Sequence, residues 1–405
     1  MFERIVLILA SRRSVVFGWL FCSALAAMLL VPAAARADGI ETSARQAILM
    51  DYDTGAVLFD KNAHERMAPS SMSKLMTLDM LFEELKDGRV KLTDRFTVSE
   101  HAWRTGGAGT DGSTMFAQLG SSIPVEDLIR GVAVQSGNDA AIVIAEGLGG
   151  TEAEFAQMMN RRAKELGLNE SHFMNATGLP DPNHYMTAHD LAVLARHLIK
   201  DLGEYYHYFS ETEFEWNKVK QQNRDPLLPL KIGVDGLKTG HTNAGGFGLT
   251  ASAVRDEHRF IVVVNGLPTM KARRDEPRRL LEYAFREFKS YELFAAGAKV
   301  DSVDVWKGQI DSVPLITERP IRIAMLRSGR AKMRVTVRYE APIAAPIEQG
   351  QQIGMLEVTA PGSAKMTFPL VAGKAIERAG VVGDLMDTVL YLIDRQFTEK
   401  QASLP

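Results

Sequence analysis

The spacing of apolar and polar residues changes along the chain. Apolar runs over 47–50 and 56–59 flank Asp53-Thr54-Gly55 and predict a β-hairpin. Strand patterns return over 247–253 and 260–265. Between and after these strands, helical spacing of apolar residues covers 71–86, 151–166, 187–200 and 276–288. Strands near both ends with helices between them predict a mixed α/β domain of the α+β kind, whose antiparallel sheet is closed by the terminal segments.

The pattern changes after about residue 290. Short alternating runs separated by turn residues predict a small β-sandwich over 291–375, with strands over 302–306, 321–325, 333–339, 353–358 and 366–370. No cluster of titratable residues in this part suggests a functional site. The first domain is therefore expected to cover 38–290 and to carry any chemistry.

The tail over 376–405 has a third pattern. Apolar residues fall at helical spacing across 381–397. A helix of 17 residues interrupted by charges is too short to span a bilayer, which takes about 20. It fits a helix lying on a membrane surface, or one packed on protein. The acidic polar face leaves both interpretations open.

The first 37 residues are typical of a secretory signal peptide. Arg4, Arg12 and Arg13 precede an apolar run over 15–30, and Ala35-Arg36-Ala37 matches a cleavage site. An uncleaved membrane anchor is the alternative, but the run of 16 residues is short for it. We expect a periplasmic protein that begins at Asp38.

Composition excludes several classes of function for the remaining 368 residues. The only cysteine, Cys22, lies in the leader, so disulfides, thiolate metal sites and thiol nucleophiles are not expected. Removing four Arg and one Glu with residues 1–37 moves the net charge from -3 to -6, which argues against nucleic acid as a partner. No metal or cofactor is predicted.

Three short motifs occur in order and carry the candidate chemistry. They are Ser71-Met72-Ser73-Lys74, Ser136-Gly137-Asn138 and Lys238-Thr239-Gly240, separated by 65 and 102 residues. Each motif alone is common by chance, but the ordered set is that of the serine enzymes that react with penicillin.

The first motif places a nucleophile beside a base. Ser71 and Lys74, three residues apart at a helix start, project from one face. A serine needs such a base, and an amine serves only when burial and nearby cations keep it partly neutral. Free N–H groups at the helix start favour an oxyanion there. The alternative for Ser71 is an ordinary helix N-cap.

The second motif is expected in a turn between two helices, with Asn138 or Asp139 capping the second helix. The functional interpretation makes the Ser136 hydroxyl a proton shuttle between a lysine amine and the leaving nitrogen. The Asn138 amide then holds the substrate backbone.

The third motif is expected on an edge strand, where glycines allow another backbone to approach. A peptide substrate added along that edge would place Lys238 near its acidic terminus. The backbone N–H groups of His241 and Ser71 would then face the oxyanion. The alternative for Lys238 is an exposed lysine protecting a sheet edge.

The motifs and their flanks resemble the low-molecular-mass penicillin-binding proteins, specifically serine-type D-alanyl-D-alanine carboxypeptidases. The resemblance extends over Ala68-Pro69-Ser70-Ser71, the segments 135–140 and 234–242, and Thr177-Gly178-Leu179. It implies a serine β-lactamase/transpeptidase-like fold and an enzyme on the outer face of the inner membrane. Its substrate would be the peptidoglycan stem pentapeptide, and β-lactam antibiotics would inhibit it covalently.

The same resemblance assigns carboxylate-binding roles to Arg273 and Arg224. Arginine suits a terminal carboxylate because its planar fork binds both oxygens. The stretch from Arg224 to Lys238 is one residue shorter than the family pattern. Substrate contacts are also implied for Asn138, Lys238, Thr239, Gly240 and His241.

Three alternatives remain open. A class A β-lactamase would use a glutamate such as the one in Glu165-Leu166-Gly167-Leu168-Asn169. That segment ends a predicted helix at a glycine cap, so Glu165 is interpreted as a solvated helix-end charge. A DD-endopeptidase acting on crosslinks would use the same residues. An inactive cell-wall scaffold is the non-enzymatic alternative.

Overall fold

The computed structural model describes residues 40–360 and 365–380. The predicted leader, the turn at Pro361-Gly362 and the predicted amphipathic segment over 381–397 lie outside the described residues. The chain divides into two compact units between Phe288 and Lys289. No helix in the described ranges combines the length and apolarity needed to cross a membrane.

The larger unit contains nine strands and seven helices within its described residues. The strands are β1 (Gln46–Asp51), β2 (Val57–Lys61), β3 (Arg95–Thr97), β4 (Ser122–Pro124), β5 (Glu213–Trp216), β6 (Val219–Gln222), β7 (Val234–Thr242), β8 (Gly246–Arg255) and β9 (His258–Leu267). The helices are α1 (Lys74–Lys86), α2 (Glu100–Gly106), α3 (Val125–Ala133), α4 (Asn138–Gly149), α5 (Glu152–Glu165), α6 (Ala188–Lys200) and α7 (Met270–Glu287).

The main sheet has five antiparallel strands in the order β2-β1-β9-β8-β7. The first strand of the unit, β1, therefore pairs with its last strand, β9, which confirms the predicted closure by terminal segments. The hairpin β1-β2 is also confirmed. Strand β7, which carries the third motif, is at the sheet edge as expected. One side of β7 thus remains available to another extended backbone.

Helices α1 and α4 run through the core. The α1 side chains Leu75, Leu78 and Phe82 are fully buried, as are the α4 residues 140–145. Helices that are apolar on nearly all sides are stable only when surrounded by protein. The first two motifs lead directly into these helices, and their last residues, Lys74 and Asn138, begin α1 and α4.

Two helix starts differ from the prediction. A 3-10 turn over Ser70–Ser73 precedes α1, so the motif serine lies before the α-helix and not within it. Helix α7 begins at Met270 and not at 276, because the Thr269 hydroxyl accepts a hydrogen bond from Ala272 N–H and caps the helix.

The smaller unit contains eight strands: β10 (Phe288–Phe294), β11 (Lys299–Trp306), β12 (Ser312–Ile316), β13 (Ile321–Leu326), β14 (Arg334–Arg338), β15 (Ile343–Ala344), β16 (Gln352–Thr359) and β17 (Met366–Ala372). Six of them form a sheet in the order β14-β16-β17-β12-β11-β15, and β10 pairs with β13. The predicted β-rich architecture is confirmed. Strand β12 was missed because Pro314 interrupts its pattern.

Candidate active site

The first motif forms a tight hydrogen-bonded centre. Lys74 is fully buried, and its Nζ lies 2.8 Å from Ser71 Oγ, 2.7 Å from Asn138 Oδ1 and 2.8 Å from the Thr177 carbonyl oxygen. The Ser71 side chain makes no helix-capping hydrogen bond. The N-cap alternative for Ser71 is therefore wrong.

Burial lowers the pKa of Lys74 from 10.5 to about 7. The Asp139 carboxylate opposes this shift and the Arg224 guanidinium adds to it. Two of the three neighbours of Nζ, Asn138 Oδ1 and the Thr177 carbonyl, can only accept hydrogen bonds. A neutral amine that donates to both directs its lone pair at the third neighbour, Ser71 Oγ. The arrangement thus favours a base aimed at the serine.

Asp139 has a role that the sequence interpretation did not assign. Helix α4 starts after Gly137 without a side-chain cap, so the predicted capping by Asn138 or Asp139 is wrong. Instead the fully buried Asp139 carboxylate accepts hydrogen bonds from Thr114 Oγ1, Met115 N–H, Ala117 N–H and Ala140 N–H. It thereby fixes the 113–117 segment against the start of α4.

The second and third motifs meet through Lys238 and Ser136. Lys238 is 2% exposed, and its Nζ donates to Ser136 Oγ at 2.7 Å and to the Thr239 carbonyl at 3.2 Å. The alternative of an exposed edge-strand lysine is therefore wrong. Burial, followed by the Lys74, Arg224 and Arg273 charges, holds the Lys238 pKa well below its usual value. The lysine that contacts the Ser136 hydroxyl is Lys238, whereas the hydrogen bonds of Lys74 go elsewhere.

Strand β7 passes directly against the 3-10 turn over Ser70–Ser73, which carries the candidate nucleophile Ser71 and is called the nucleophile turn below. A Cβ at Gly240 would lie 2.8 Å from the Pro69 carbonyl oxygen, so only glycine allows this approach. At the end of the strand, Thr242 Oγ1 and Ser70 Oγ are 3.0 Å apart. Thr239 is buried and His241 is exposed, with its ring stacked on Phe247 at 4.0 Å.

Cationic side chains gather near Lys238. Arg273, in the first turn of α7, is 8% exposed, and its guanidinium lies 5.4 Å from the Phe247 ring centre. Its buried Nε–H has no partner among the described residues. Arg224 is exposed, and its Nε donates to the Gln135 carbonyl at 2.8 Å. Both arginines depress the pKa of Lys238, which places both predicted carboxylate ligands in its electrostatic neighbourhood.

A buried carboxylate accompanies these cations. Asp225 is 3% exposed, and its Oδ1 accepts a hydrogen bond from Leu227 N–H. Its Oδ2 has no hydrogen-bond partner among the described residues. Burial raises the pKa of Asp225 to about 7, although Arg273 and Lys238 oppose the shift. No sequence motif includes Asp225, because its burial and its raised pKa arise only in the folded protein.

His184 was also missed, although it contacts the nucleophile turn. Its Nδ1 accepts a hydrogen bond from Met174 N–H, so Nε2–H donates to Ser73 Oγ at 2.6 Å. Burial lowers the pKa of His184 to about 4, so the ring is neutral near pH 7. A lone histidine 111 residues from its partner gives no sequence signal.

Glu165 does not belong to this centre. It ends α5, its side chain is 64% exposed, and it pairs with Arg162 at 3.4 Å. Gly167 follows with a φ of 74°, as expected for a C-terminal glycine cap. The interpretation of Glu165 as a solvated helix-end charge is confirmed.

Comparisons with known proteins cover both units. A family model described as D-alanyl-D-alanine carboxypeptidase matches residues 32–269, and one described as the C-terminal domain of penicillin-binding protein 5 matches residues 288–378. The chain is 36% identical to D-alanyl-D-alanine carboxypeptidase DacF of Bacillus subtilis (strain 168), over 88% of this chain and 92% of the relative.

Solved structures agree with these matches. Penicillin binding protein 5 from Haemophilus influenzae is 35% identical, with a TM-score of 0.78 over 84% of this chain and 99% of that one. Penicillin-binding protein D2 from Listeria monocytogenes, solved in its ampicillin-bound form, is 27% identical, with a TM-score of 0.53 over 61% of this chain and 99% of that one.

Proposed function

The chain belongs to the D-alanyl-D-alanine carboxypeptidase family, and we propose that it removes the terminal D-alanine from peptidoglycan stem pentapeptides through an acyl-enzyme on Ser71. One observation carries the assignment of the nucleophile. The buried Lys74 Nζ lies 2.8 Å from Ser71 Oγ, and its pKa is lowered to about 7. A base poised near neutral pH is what activates a serine hydroxyl.

Acylation follows from this geometry. Neutral Lys74 takes the proton from Ser71, and Oγ bonds to the carbonyl carbon between the two D-alanines. The oxyanion is stabilised by the backbone N–H groups of Ser71 and His241. When the carbon–nitrogen bond breaks, the Ser136 hydroxyl gives its proton to the leaving nitrogen and takes up the proton that Lys74 removed from Ser71, so Lys74 is neutral again. Lys238 stabilises the transient negative charge on Ser136 Oγ. Neutral Lys74 then takes a proton from water, which attacks the ester carbonyl carbon. The bond to Ser71 Oγ breaks, and Oγ takes that proton back from Lys74.

Substrate binding uses the edge of the sheet. The peptide lies along β7 beside Thr239 and Gly240, and the Asn138 amide nitrogen donates to the substrate backbone. Asn138 Oδ1 already accepts from Lys74, which leaves the amide nitrogen for that contact. The free Nε–H of Arg273 and the neighbouring charge of Arg224 favour a terminal carboxylate near Lys238.

β-Lactam antibiotics acylate the same serine. The ampicillin-bound relative from Listeria monocytogenes supports this proposal. A fluorescent penicillin should label the wild-type protein at Ser71, and Ser71→Ala should abolish the label. Ser73→Ala is the matched control from the same turn, because its hydroxyl bonds to His184 and not to a lysine. Covalent labelling that persists in Ser71→Ala would overturn the nucleophile assignment.

The protein acts at the outer face of the inner membrane after its leader is removed near Ala37. Residues 38–290 form the catalytic domain, 291–375 the β-domain, and 376–405 a tail that rests on the membrane. Support comes from the apolar stripe over 381–397, which is too short to span a bilayer.

Deleting residues 381–405 tests the membrane role of the tail. The truncated protein should move from membranes to the soluble periplasmic fraction with unchanged kinetics on soluble substrates. High salt should extract the full-length protein poorly, because an acidic tail attaches mainly through apolar area. Extraction by salt alone would contradict the anchor.

A further inference from the structure

Three side chains of metal-ligating type converge on the larger unit outside the catalytic centre. They are His64 after β2, Glu170 after α5 and His189 at the start of α6, and their donor atoms all lie within 4.8 Å of one another. His64 Nδ1 lies 2.7 Å from Glu170 Oε2. The two imidazole rings stack with their centres 4.5 Å apart. In sequence, His64 lies 106 positions before Glu170 and 125 positions before His189. The fold thus brings three distant residues into one group.

Backbone hydrogen bonds hold the three positions together. The His189 N–H donates to the Ala63 carbonyl at 2.9 Å, which ties α6 to the residue preceding His64. The Glu170 N–H donates to Asp190 Oδ2 at 3.0 Å, which ties the third ligand to the residue following His189. The backbone therefore holds the three residues as neighbours.

A buried carboxylate backs one of the histidines. Asp190 is 2% exposed, and its Oδ1 lies 3.4 Å from His189 Nδ1. Because a carboxylate can only accept a hydrogen bond, the proton of the His189 ring lies on Nδ1. The lone pair on Nε2 can then bind a metal ion. Metal-bound histidines commonly have such a carboxylate on the second ring nitrogen, where it fixes the tautomer and raises the basicity of the ligand.

A second cluster of the same size shows the contrast. Asp79, Glu83 and His197 also bring their donor atoms together. There, however, the Arg162 guanidinium donates to Asp79 at 2.9 Å and to Glu83 at 2.5 Å, so a protein cation already balances the carboxylates. Within the described ranges, the only ion pair of Glu170 is the one with His64. The first cluster lacks the guanidinium that fills the second.

We propose that His64, Glu170 and His189 bind one divalent transition ion of the zinc class, with solvent in the fourth position. Two imidazoles and a carboxylate suit zinc, whereas calcium and magnesium prefer oxygen ligands. Tetrahedral bonds of about 2.0–2.1 Å need the donor atoms about 3.4 Å apart. The donor atoms lie within 4.8 Å of one another, and His64 Nδ1 and Glu170 Oε2 are 2.7 Å apart, so metal binding requires small adjustments of these distances. The His64 side chain is 56% exposed and has room to rotate.

Such an ion would join two segments that lead into the active site. The chain after His64 reaches the nucleophile turn through Met67, which pairs with Met186 just ahead of His189. An ion bound to His64 and His189 would therefore crosslink these two segments next to the Met67–Met186 pair. Because it binds the folded form, it should raise the thermal unfolding temperature. This proposal does not depend on the proposed peptidase activity.

Isothermal titration of the mature, tag-free protein with zinc sulfate tests the site. The wild type should bind one ion per chain, and His64→Ala, His189→Ala and Glu170→Gln should each weaken binding about tenfold or more. The matched control is His101→Ala, since His101 also pairs with a glutamate, Glu152 at 3.0 Å, but belongs to no three-donor cluster of the described residues. It should bind zinc as the wild type does.

Two further measurements make the outcome decisive. Cobalt should give a ligand-field spectrum with the wild type that is lost in His64→Ala, an exposed position where folding is not at risk. Zinc should raise the unfolding temperature of the wild type and of His101→Ala, whereas magnesium and calcium should not. Absence of zinc binding by the wild type would overturn the proposal, and so would equal zinc affinity in His64→Ala.

Discussion

The replacement Asp139→Asn tests how the active site is held together. The substitution preserves the shape of the side chain and changes one oxygen into an amide nitrogen. In the wild type, Oδ1 accepts from Met115 N–H and Ala140 N–H, and Oδ2 accepts from Thr114 Oγ1 and Ala117 N–H. Every partner is a donor, so the new NH₂ group must face at least one N–H.

The cost can be estimated from these contacts. The amide is best placed at the Oδ2 position, because the Thr114 hydroxyl can reverse and accept from it. One backbone N–H, that of Ala117, then loses its acceptor while buried, which costs about 1–3 kcal/mol. The bonds that remain lose their ionic component, worth about 1 kcal/mol or more together. We expect a loss of about 3 kcal/mol, a large part of the stability of a typical domain.

Two assays measure the effect. Urea unfolding should show the destabilisation, and hydrogen-exchange mass spectrometry should show faster exchange over 113–117.

The Asp139 charge raises the pKa of Lys74, so its removal should also move the acylation midpoint to lower pH. Glu146→Gln on the same helix is the control, because the buried Glu146 Oε2 has no hydrogen-bond partner among the described residues. A loss below about 1 kcal/mol in Asp139→Asn would refute the anchoring role.

Three further outcomes follow from the same geometry. Acylation by a fluorescent penicillin should increase with pH around a midpoint near 7, because only the neutral Lys74 amine can accept the proton; a midpoint near the ordinary lysine value of 10.5 would contradict the lowered pKa of Lys74. Arg273→Ala should reduce turnover of a carboxylate-ended peptide far more than acylation by its neutral ester analogue, and equal losses would indicate a structural role. Glu165→Gln should leave release of penicilloate from Ser71 unchanged, since that side chain is solvated; slower release would restore the β-lactamase alternative.

Much of the fold could be predicted from the sequence, because turns and strands depend on residues a few positions apart. The hairpin around Thr54-Gly55 and the edge strand at Lys238-Thr239-Gly240 are confirmed because turn residues and glycine spacing act over a few positions. The ordered motifs identified residues that the fold brings together across 102 positions of sequence. The predicted start of α7 at residue 276 was wrong, because Thr269 caps the helix one residue before Met270.

Contacts that depend on the assembled fold were not readable. Asp139 was taken for a helix cap, but the loop it holds lies more than 20 residues away in sequence. His184 and Asp225 carry no motif, and their perturbed pKa values arise from burial. The motifs also did not show which lysine contacts the Ser136 hydroxyl, because Lys74 and Lys238 lie in the same centre. In the structure it is Lys238.

The proposed reaction is the attack of Ser71 on the peptide bond between the two terminal D-alanines of a stem pentapeptide. Incubation of the purified protein with a pentapeptide muropeptide, followed by mass spectrometry of the products, tests it directly. The wild type should yield the tetrapeptide and one free D-alanine, and Ser71→Ala should yield neither. An unchanged pentapeptide with the wild-type protein, or tetrapeptide formed by Ser71→Ala, would contradict the account.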